Sequence, residues 1–174
     1  MTTIELPWSV LPDYRCFGCS PHNPGGLGLT FDPHPDGVCT RFQLDRRFES
    51  YPGVVHGGLV GVICDETMGN LIVLRRGRSA FTVSMRQRYV APMLIGRPYT
   101  CVARLRAGAD GGLFHTTAEV LDAHGAVCAT ATATYQPFTL ADARARLALA
   151  DDELAALSAA LDTTALDTTA PNGA

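Results

Sequence analysis

Lysine is absent from this chain of 174 residues, so its 14 basic residues are all arginine. A GC-rich coding bias is the simplest cause, although the arginine side chain also suits phosphate binding. Against 17 acidic residues, the arginines leave a formal net charge of −3 at pH 7. A chain without net positive charge is not expected to bind nucleic acid as its main activity.

The sequence also lacks an uninterrupted apolar run of about 20 residues, the length that a transmembrane helix needs. Its longest apolar run is broken by Asp65 and Glu66, and residues 1–13 lack the basic start of a signal peptide. The six cysteines are scattered, which is typical of reduced thiols rather than of a disulfide framework. We therefore expect a cytoplasmic protein with no membrane partner.

The composition that remains is that of a globular protein, with 47% apolar and 18% charged residues. The length suits one domain with a single core. Residues 1–26 are rich in proline and glycine and are expected to be irregular, whereas residues 27–137 are expected to form the folded domain. Residues 138–174 are predicted to be helical at first, and then to end in a frayed, disordered segment that contains the tandem repeat LDTTA at 161–170.

Hydrophobic periodicity predicts two strands, then one long helix, then four further strands. One apolar helix wrapped by one curved antiparallel sheet would give an α+β domain. The strands are predicted at 26–31, 38–48, 79–90, 98–107, 113–122 and 126–138, and the helix at 58–74.

The predicted helix carries two adjacent carboxylates, Asp65 and Glu66, within a segment otherwise suited to burial. Successive residues of a helix differ by about 100°, so the two side chains cannot serve the same point. Glu66 shares an apolar face with Asn70, which predicts a supporting, hydrogen-bonded role. Asp65 lies among three glycines, where close approach by a ligand or another helix would offset the cost of glycine in a helix. Asp65 is therefore either a catalytic candidate or a paired structural carboxylate.

The helix is preceded by His56 and begins with two glycines, Gly57 and Gly58. Free N–H groups at a helix N-terminus carry partial positive charge and suit an anion or a developing oxyanion. A carboxylate two turns further along is expected to act as a base or nucleophile toward an electrophile held at that end.

The stretch YPGVVHGGLVGVICDETMG (51–69) resembles the signature of hotdog-fold acyl-CoA thioesterases of the PaaI-like branch. In that family an HGG turn leads into the central helix, and an Asp or Glu follows nine positions after the His, where Asp65 stands. FTVSMRQRYVAPMLIGRPY and CFGCSPHNPGGLGLTF resemble two further stretches of the family, so the likeness covers about residues 16–137. It implies a hotdog fold, with one long central helix wrapped by a curved antiparallel sheet of five to six strands.

The resemblance implies hydrolysis of an acyl-CoA thioester to free acid and coenzyme A, without a metal or redox cofactor. Asp65 would be the catalytic carboxylate, acting as general base or nucleophile. Gly57 would offer its N–H to the thioester carbonyl oxygen, and His56 would shape the site. Ser50 stands where some relatives have an Asn that contacts the substrate or water. Thr82 matches a hydroxyl residue that the family supplies from the neighbouring subunit.

The strand pattern around Thr82 agrees with that last assignment. Because Thr82 alternates with Phe81 and Val83, it is expected to point away from its own core and toward a partner subunit. A homodimer would then be the minimum working unit, alone or in a dimer of dimers.

The remaining substrate-binding candidates lie on the helix and on the strand that follows it. Gly58 and Glu66 are expected to lie near the substrate, and Met68 to line an apolar tunnel for the acyl group. Arg86 and Arg88 are candidates to bind the phosphates of coenzyme A, in competition with the arginines that follow the helix.

Two rival functions stay open on this scaffold, because one fold hosts several activities. The first is a hydratase or dehydratase, for which His56 would have to be the proton-transfer base. The second is a non-catalytic acyl-CoA-binding module, which would have no need of an ionised Asp65.

Cys16 and Cys19, followed by His22, have the form of half a zinc site. Structural zinc needs four ligands and no second pair occurs nearby in the sequence, so no metal is expected. A redox role is weaker still, because the pair does not follow a strand in a βαβ unit.

Overall fold

The structure, a computed structural model, describes residues 4–106, 112–143 and 149–164. In these residues, one six-stranded sheet, antiparallel throughout, packs one face against the long helix α1. The order of strands is β1-β2-β4-β5-β6-β3, so β1 and β3 are the edges. The elements are β1 (Asp32–His34), β2 (Gly37–Gln43), α1 (Gly57–Arg76), β3 (Ser79–Tyr89), β4 (Pro98–Leu105), β5 (Phe114–Asp122), β6 (Val127–Phe138), α2 (Leu140–Ala143) and α3 (Asp151–Thr164).

The predicted fold class is confirmed, since two strands, one long helix and four strands follow in that order. α1 ends at Gly77, which adopts the left-handed conformation with φ of 58° and donates its N–H to the Val73 carbonyl at 2.8 Å. Glycine tolerates this conformation, and it is the usual residue after the last turn of a helix. The long helix therefore stops where the sequence provides its C-cap.

The strand predicted at 26–31 is wrong. Leu29 is buried there, but the backbone of this stretch binds an irregular loop: the Leu27 N–H donates to Phe17 at 2.7 Å and the Leu29 N–H to Gly18 at 2.9 Å. The regular strand β1 lies just after it, at Asp32–His34, between the first two predicted strands. Alternating apolar residues indicate burial, but they do not require a place in the sheet. Here the backbone N–H groups of the extended segment donate to carbonyl groups of a loop outside the sheet.

The second strand is shorter than predicted, because the sheet ends at Gln43 and a 3-10 turn follows at Arg46–Phe48. Asp45 caps that turn by accepting a hydrogen bond from the Arg47 N–H at 2.9 Å. A capping aspartate directs the chain into a turn and so ends the ladder.

The core lies between α1 and the inner face of the sheet. By length and composition alone α1 could cross a membrane, but its apolar side chains are mostly buried within the protein. Ile63, Met68 and Ile72 are each 0% exposed. On β6 every second residue is small and buried, which lets the helix approach the sheet; these residues are Ala129, Ala131 and Ala133.

The glycine side of α1 lies against strand β3. A Cβ at Gly61 would lie 3.0 Å from the Gln87 side chain and 3.5 Å from that of Met85, and one at Gly57 would lie 3.3 Å from the Tyr89 hydroxyl. A ligand or another helix was expected to make this close approach. The approach is made instead by the protein's own edge strand, which runs antiparallel to the helix.

The C-terminal helix α3 packs against the N-terminal segment. Leu157 and Leu161 are 1% and 6% exposed and form a second small core with Leu11 and Val73. Leu161 is the first residue of the LDTTA repeat, so the repeat begins inside an ordered helix rather than in a frayed end. The rest of the segment that was predicted to be frayed, residues 165–174, lies outside the described residues. All six cysteines are free thiols in the structure.

Replacing Gly37 by alanine is expected to lower the free energy of unfolding by about 2–3 kcal/mol, the usual cost of overpacking. A Cβ at Gly37, the first residue of β2, would lie only 2.2 Å from the Ala103 carbonyl oxygen on the neighbouring strand β4. Urea denaturation of Gly37→Ala would measure the change. Gly125→Ala is the matched control, because that hairpin glycine has a φ of 82° but nothing within 4 Å, so only backbone strain of about 1 kcal/mol is added. Equal losses in the two variants would contradict this interpretation.

Candidate functional site

The start of α1 leaves the Gly57 N–H without an acceptor in the part of the chain that the structure describes. His56 precedes the helix in an extended conformation, and its Nδ1 accepts the Gly58 N–H at 3.0 Å. The Gly58 N–H is therefore already used, contrary to a direct role in substrate binding. Among the described residues nothing accepts the Gly57 N–H, while the Gly57 carbonyl accepts the Tyr89 hydroxyl at 2.9 Å. Gly57 thus offers a fixed, unpaired donor at the positive end of the helix.

A cavity of about 550 Å³ opens beside that donor. This volume is within the range of small-molecule sites, and most of the lining side chains are apolar. Ser50 also lines the cavity, so the structure brings together two of the predicted site residues, Ser50 and Gly57. We call this the Gly57 cavity; its other lining residues include Val54, Val60, Tyr89 and Met93.

The carboxylate of Asp65 is held by two hydroxyl groups. Its Oδ1 accepts the Thr82 hydroxyl at 2.7 Å and the Tyr135 hydroxyl at 2.8 Å. Burial, with the neighbouring Asp65 charge, raises the pKa of Tyr135, so this phenol stays protonated and donates. No hydrogen bond reaches Oδ2 from any described residue. Asp65 therefore presents one anchored oxygen and one free oxygen.

The alternation of β3 predicted that Thr82 points away from its own core. This prediction is wrong, because Thr82 points toward α1. The register of β3 against β6 shifts between Thr82 and Ser84, which leaves Val83 as a bulge. A bulge resets the alternation, so Thr82 lies on the same side of the strand as Met85, which faces α1. The hydroxyl reaches Asp65 of the same chain.

A second, smaller cavity of about 270 Å³ lies beside Asp65 and Thr82. We call it the Asp65 cavity, and its walls come partly from the N-terminal segment, through Trp8 and Tyr14. Sequence reasoning missed Tyr135, although its place among the inward residues of β6 could have indicated it. The other residues that line this cavity include Glu66, Gly69, Phe81 and Phe138.

Glu66 faces the N-terminal segment, about a quarter-turn away from Asp65. Its Oε1 accepts the Cys16 thiol at 3.1 Å and its Oε2 accepts the Asn70 amide at 3.3 Å. Burial is the main cause that raises the pKa of Glu66 to about 8. The predicted hydrogen bond with Asn70 is present, and a contact with Cys16 is added to it.

Gly57 and Asp65 are too far apart to act on one carbonyl group within one chain. They are eight residues apart on α1, which corresponds to about 12 Å along the helix axis. The expectation that Asp65 attacks an electrophile held at its own helix N-terminus is therefore wrong. Each chain carries the two halves in two separate cavities.

Three further candidates lie away from both cavities. Met68 is fully buried and belongs to the core, so it does not line a tunnel that a ligand can enter. Arg86 and Arg88 are exposed and alternate with Gln87 and Tyr89, which face α1, so the arginines lie on the outer face of the sheet. The structure does not bring them to Asp65 of the same chain, and their contact with phosphate stays a prediction.

Replacing Tyr135 by phenylalanine is expected to lower the free energy of unfolding by about 1–3 kcal/mol, because it removes a buried hydrogen bond to a carboxylate. Thr82→Val, at an exposed position, should cost less. Urea denaturation would measure both changes. Tyr51→Phe is the control, since that side chain is 77% exposed and its hydroxyl has no partner among the described residues. A Tyr135→Phe protein as stable as Tyr51→Phe would show that the Tyr135 bond adds nothing.

Part of the chain matches a known protein family. The model of the thioesterase superfamily matches residues 52–129, which include α1, β3, β4 and β5. No curated protein sequence matches the chain.

Solved structures share the fold at low sequence identity. A thioesterase superfamily protein called RHA08564 is 23% identical with a TM-score of 0.62, over 67% of this chain and 57% of that one. The Escherichia coli PaaI protein from the phenylacetic acid degradation operon is 13% identical with a TM-score of 0.60, over 65% of this chain and 81% of that one. The protein smu.793 from Streptococcus mutans UA159, bound to acetyl CoA, is 19% identical with a TM-score of 0.60, over 74% and 95% of the two chains.

The family match includes the long helix α1 and strand β3, whose Thr82 and Tyr89 contact Asp65 and Gly57. The chain spans little more than half the length of RHA08564 and most of the length of the other two proteins. Residues 52–129 match the model of the thioesterase superfamily, and the chain has the hotdog fold.

Proposed function

We propose that this protein is an acyl-CoA thioesterase, which hydrolyses an acyl-CoA to a free acid and coenzyme A. The observation that carries the proposal is the carboxylate of Asp65, with one oxygen anchored by two hydroxyls and the other free beside a cavity. The acetyl CoA bound to the Streptococcus mutans protein of the same fold supports an acyl-CoA ligand.

The chemistry needs a base and a donor for the developing oxyanion. The free Oδ2 of Asp65 takes a proton from water as the water oxygen bonds to the thioester carbon; alternatively, Oδ2 itself attacks that carbon. The carbonyl oxygen becomes an oxyanion that accepts the Gly57 N–H. In the general-base route, the proton that Asp65 took from water passes to the leaving thiolate when the carbon–sulfur bond breaks. In the nucleophile route, the thiolate leaves as an acyl–Asp65 anhydride forms; water then cleaves that anhydride to the free acid and the Asp65 carboxylate, and the proton released from water is taken up by the thiolate. Anchoring Oδ1 fixes the direction of Oδ2 throughout these steps.

Because Gly57 and Asp65 of one chain are about 12 Å apart along α1, we assign the two halves of one site to two subunits. β3 is an edge strand with unpaired backbone groups, and most of its side chains are exposed. Edge strands of this kind are templates for pairing with a second chain. The exposed apolar residues of β3, such as Val83 at 57% and Tyr89 at 56%, would be covered by such pairing.

The register of β3 along α1 explains why this pairing would complete the site. Thr82 lies beside Asp65 and Tyr89 lies beside Gly57, so the two ends of the strand mark the two half-sites. Antiparallel pairing of two β3 strands, centred between residues 85 and 86, would set Tyr89 opposite the partner's Thr82. The Gly57 cavity of one chain would then adjoin the partner's Asp65.

His56 makes the hydratase alternative less suitable. Its Nδ1 is already engaged in capping α1, so one of its two ring nitrogens is unavailable for proton transfer. The non-catalytic binding module is distinguished from the thioesterase by experiment.

Replacing Asp65 by asparagine is expected to lower thiol release from acyl-CoAs by at least about a hundredfold, the usual contribution of a general base. The assay would use a panel of short-chain, long-chain and aryl thioesters. Asp162→Asn, which neutralises an exposed carboxylate on α3, should retain full activity. Turnover that survives in Asp65→Asn would mean that another carboxylate acts, with Glu66→Gln to be tested next. A wild-type protein that binds the whole panel without turnover would favour the binding module.

Two substitutions of Gly57 separate the effect of its N–H donor from the steric effect of an added side chain. Gly57→Pro is expected to abolish turnover, because proline has no N–H. The variant should still fold, because the first position of a helix accepts proline and His56 already has the extended conformation that a following proline requires. Gly57→Ala adds a similar Cβ but keeps the N–H and should retain most of the activity. If both variants lose turnover equally, steric contact with Tyr89 rather than the lost N–H is responsible.

Mixing the two inactive proteins tests whether the site is shared. A dimer of one Asp65→Asn chain and one Gly57→Pro chain contains one intact site, so random mixing should restore about a quarter of the wild-type activity. Unfolding and refolding the two proteins together, with each protein alone as the control, would measure it. No recovery in a mixture that forms dimers would place both groups of a site in the same chain.

A further inference from the structure

A second cluster of chemically active side chains joins the N-terminal segment to α1. The sulfur atoms of Cys16 and Cys19 and a carboxylate oxygen of Glu66 lie within 4.8 Å of one another. The two cysteines alone gave only half a zinc site, and the fold adds a third donor from a residue 47 positions further along the chain than Cys19. We propose that Cys16, Cys19 and Glu66 bind a zinc ion, independently of the thioesterase reaction.

The spacing of the three donors suits one tetrahedral ion. Ligand atoms at the usual zinc distances of about 2.0–2.3 Å lie about 3.5–3.8 Å from one another in a tetrahedron. The Cys16 sulfur and the Glu66 Oε1 are 3.1 Å apart, joined by a hydrogen bond. Loss of that proton and an outward shift of a few tenths of an ångström would convert the contact into an edge of the coordination shell.

The loop is shaped to receive the carboxylate. A Cβ at Gly18 would lie 2.2 Å from the Glu66 Cγ and 2.4 Å from its Cδ, so only glycine lets Glu66 lie against this loop. The loop is closed by hydrogen bonds of the Ser20 N–H to the Cys16 carbonyl at 3.2 Å and of the Leu29 N–H to the Gly18 carbonyl at 2.9 Å. The backbone thus holds the two thiols on either side of the carboxylate.

Outer contacts orient each kind of donor. The Asn70 amide binds Glu66 Oε2 at 3.3 Å, and Asn70 is itself held by the Trp8 indole N–H at 3.3 Å, which leaves Oε1 directed toward the sulfurs. The Tyr14 hydroxyl lies 3.3 Å from the Cys19 sulfur. Such second-layer hydrogen bonds are typical of metal sites, where they fix the ligands in orientation.

The cluster has no positive charge of its own. Among the ion pairs of the described residues none includes Glu66, and the adjacent residue in the sequence is a further carboxylate, Asp65. A divalent cation would supply the missing charge to two thiolates and a carboxylate. This mixed sulfur and oxygen set suits zinc better than magnesium or calcium, which prefer oxygen alone.

The fourth position would be filled by water, because His22 does not join the cluster. His22 is exposed, and its carbonyl accepts a hydrogen bond from the Arg15 side chain at 3.1 Å. The ion would cross-link the N-terminal segment to α1 next to the wall of the Asp65 cavity, where Tyr14 and Trp8 lie.

Cobalt(II) provides a direct test, because thiolate ligands give it charge-transfer absorption that zinc lacks. Titration of the reduced, metal-free protein with Co²⁺ is expected to produce this absorption with one equivalent per chain, and added Zn²⁺ should abolish it by replacing the cobalt. Zn²⁺ should also raise the melting temperature, since it binds the folded state. Cys16→Ser and Cys19→Ser should lose the absorption, and Glu66→Gln should weaken Co²⁺ binding at least about tenfold.

Cys39→Ser is the matched control, since Cys39 is a buried thiol on β2 outside the cluster and its variant should bind Co²⁺ normally. Asp65→Asn should also bind normally, which separates this site from the thioesterase proposal. Circular dichroism would verify that each variant is folded. The proposal is overturned by the absence of thiolate absorption in the wild type, by unchanged binding in Cys16→Ser, or by unchanged affinity in Glu66→Gln.

Discussion

The pitch of one α-helix determines where the chemistry of this protein can occur. A turn of about 100° per residue directs Asp65 toward β3 and β6 and Glu66 toward the N-terminal segment, although the two are neighbours in sequence. A rise of about 1.5 Å per residue keeps Asp65 well away from the free N–H of Gly57. The helix therefore separates three chemical groups that lie within ten residues of one another. Asp65 then depends on the sheet and Glu66 on the N-terminal loop, whereas the proposed site at Gly57 requires a second subunit.

Much of the fold could be predicted because α1 and the last four strands have strong, regular apolar patterns. The first strand could not, since Leu27 and Leu29 alternate like a strand but bind Phe17 and Gly18 rather than a ladder. Periodicity indicates which side chains are buried, but it does not show which groups form hydrogen bonds with the backbone of that segment. The packing of Leu161 against Leu11 was missed for a related reason, as the contact joins opposite ends of the sequence.

The candidate site was predictable in its residues and not in its geometry. The sequence indicated Asp65, Gly57 and Thr82, but the bulge at Val83 has no clear sequence signal, and it reverses the side on which Thr82 lies. Tyr135 was missed because its partner lies 70 positions earlier, at a contact that only the folded sheet creates. The third donor beside the two cysteines was missed in the same way. Local patterns identified reactive groups, whereas the partners that orient them came from distant parts of the chain.

The packing of α3 connects the N-terminal segment to the Asp65 cavity. Leu157 and Leu161 cover Leu11 and Val73, and Trp8 packs on the same small core while also forming a wall of the Asp65 cavity. Removal of α3 would therefore change the position of Trp8, and with it the wall of the Asp65 cavity, although α3 is far from Trp8 in sequence. Helix α3 holds the N-terminal segment in place by packing against it. The same packing therefore helps to determine the shape of the cavity beside Asp65.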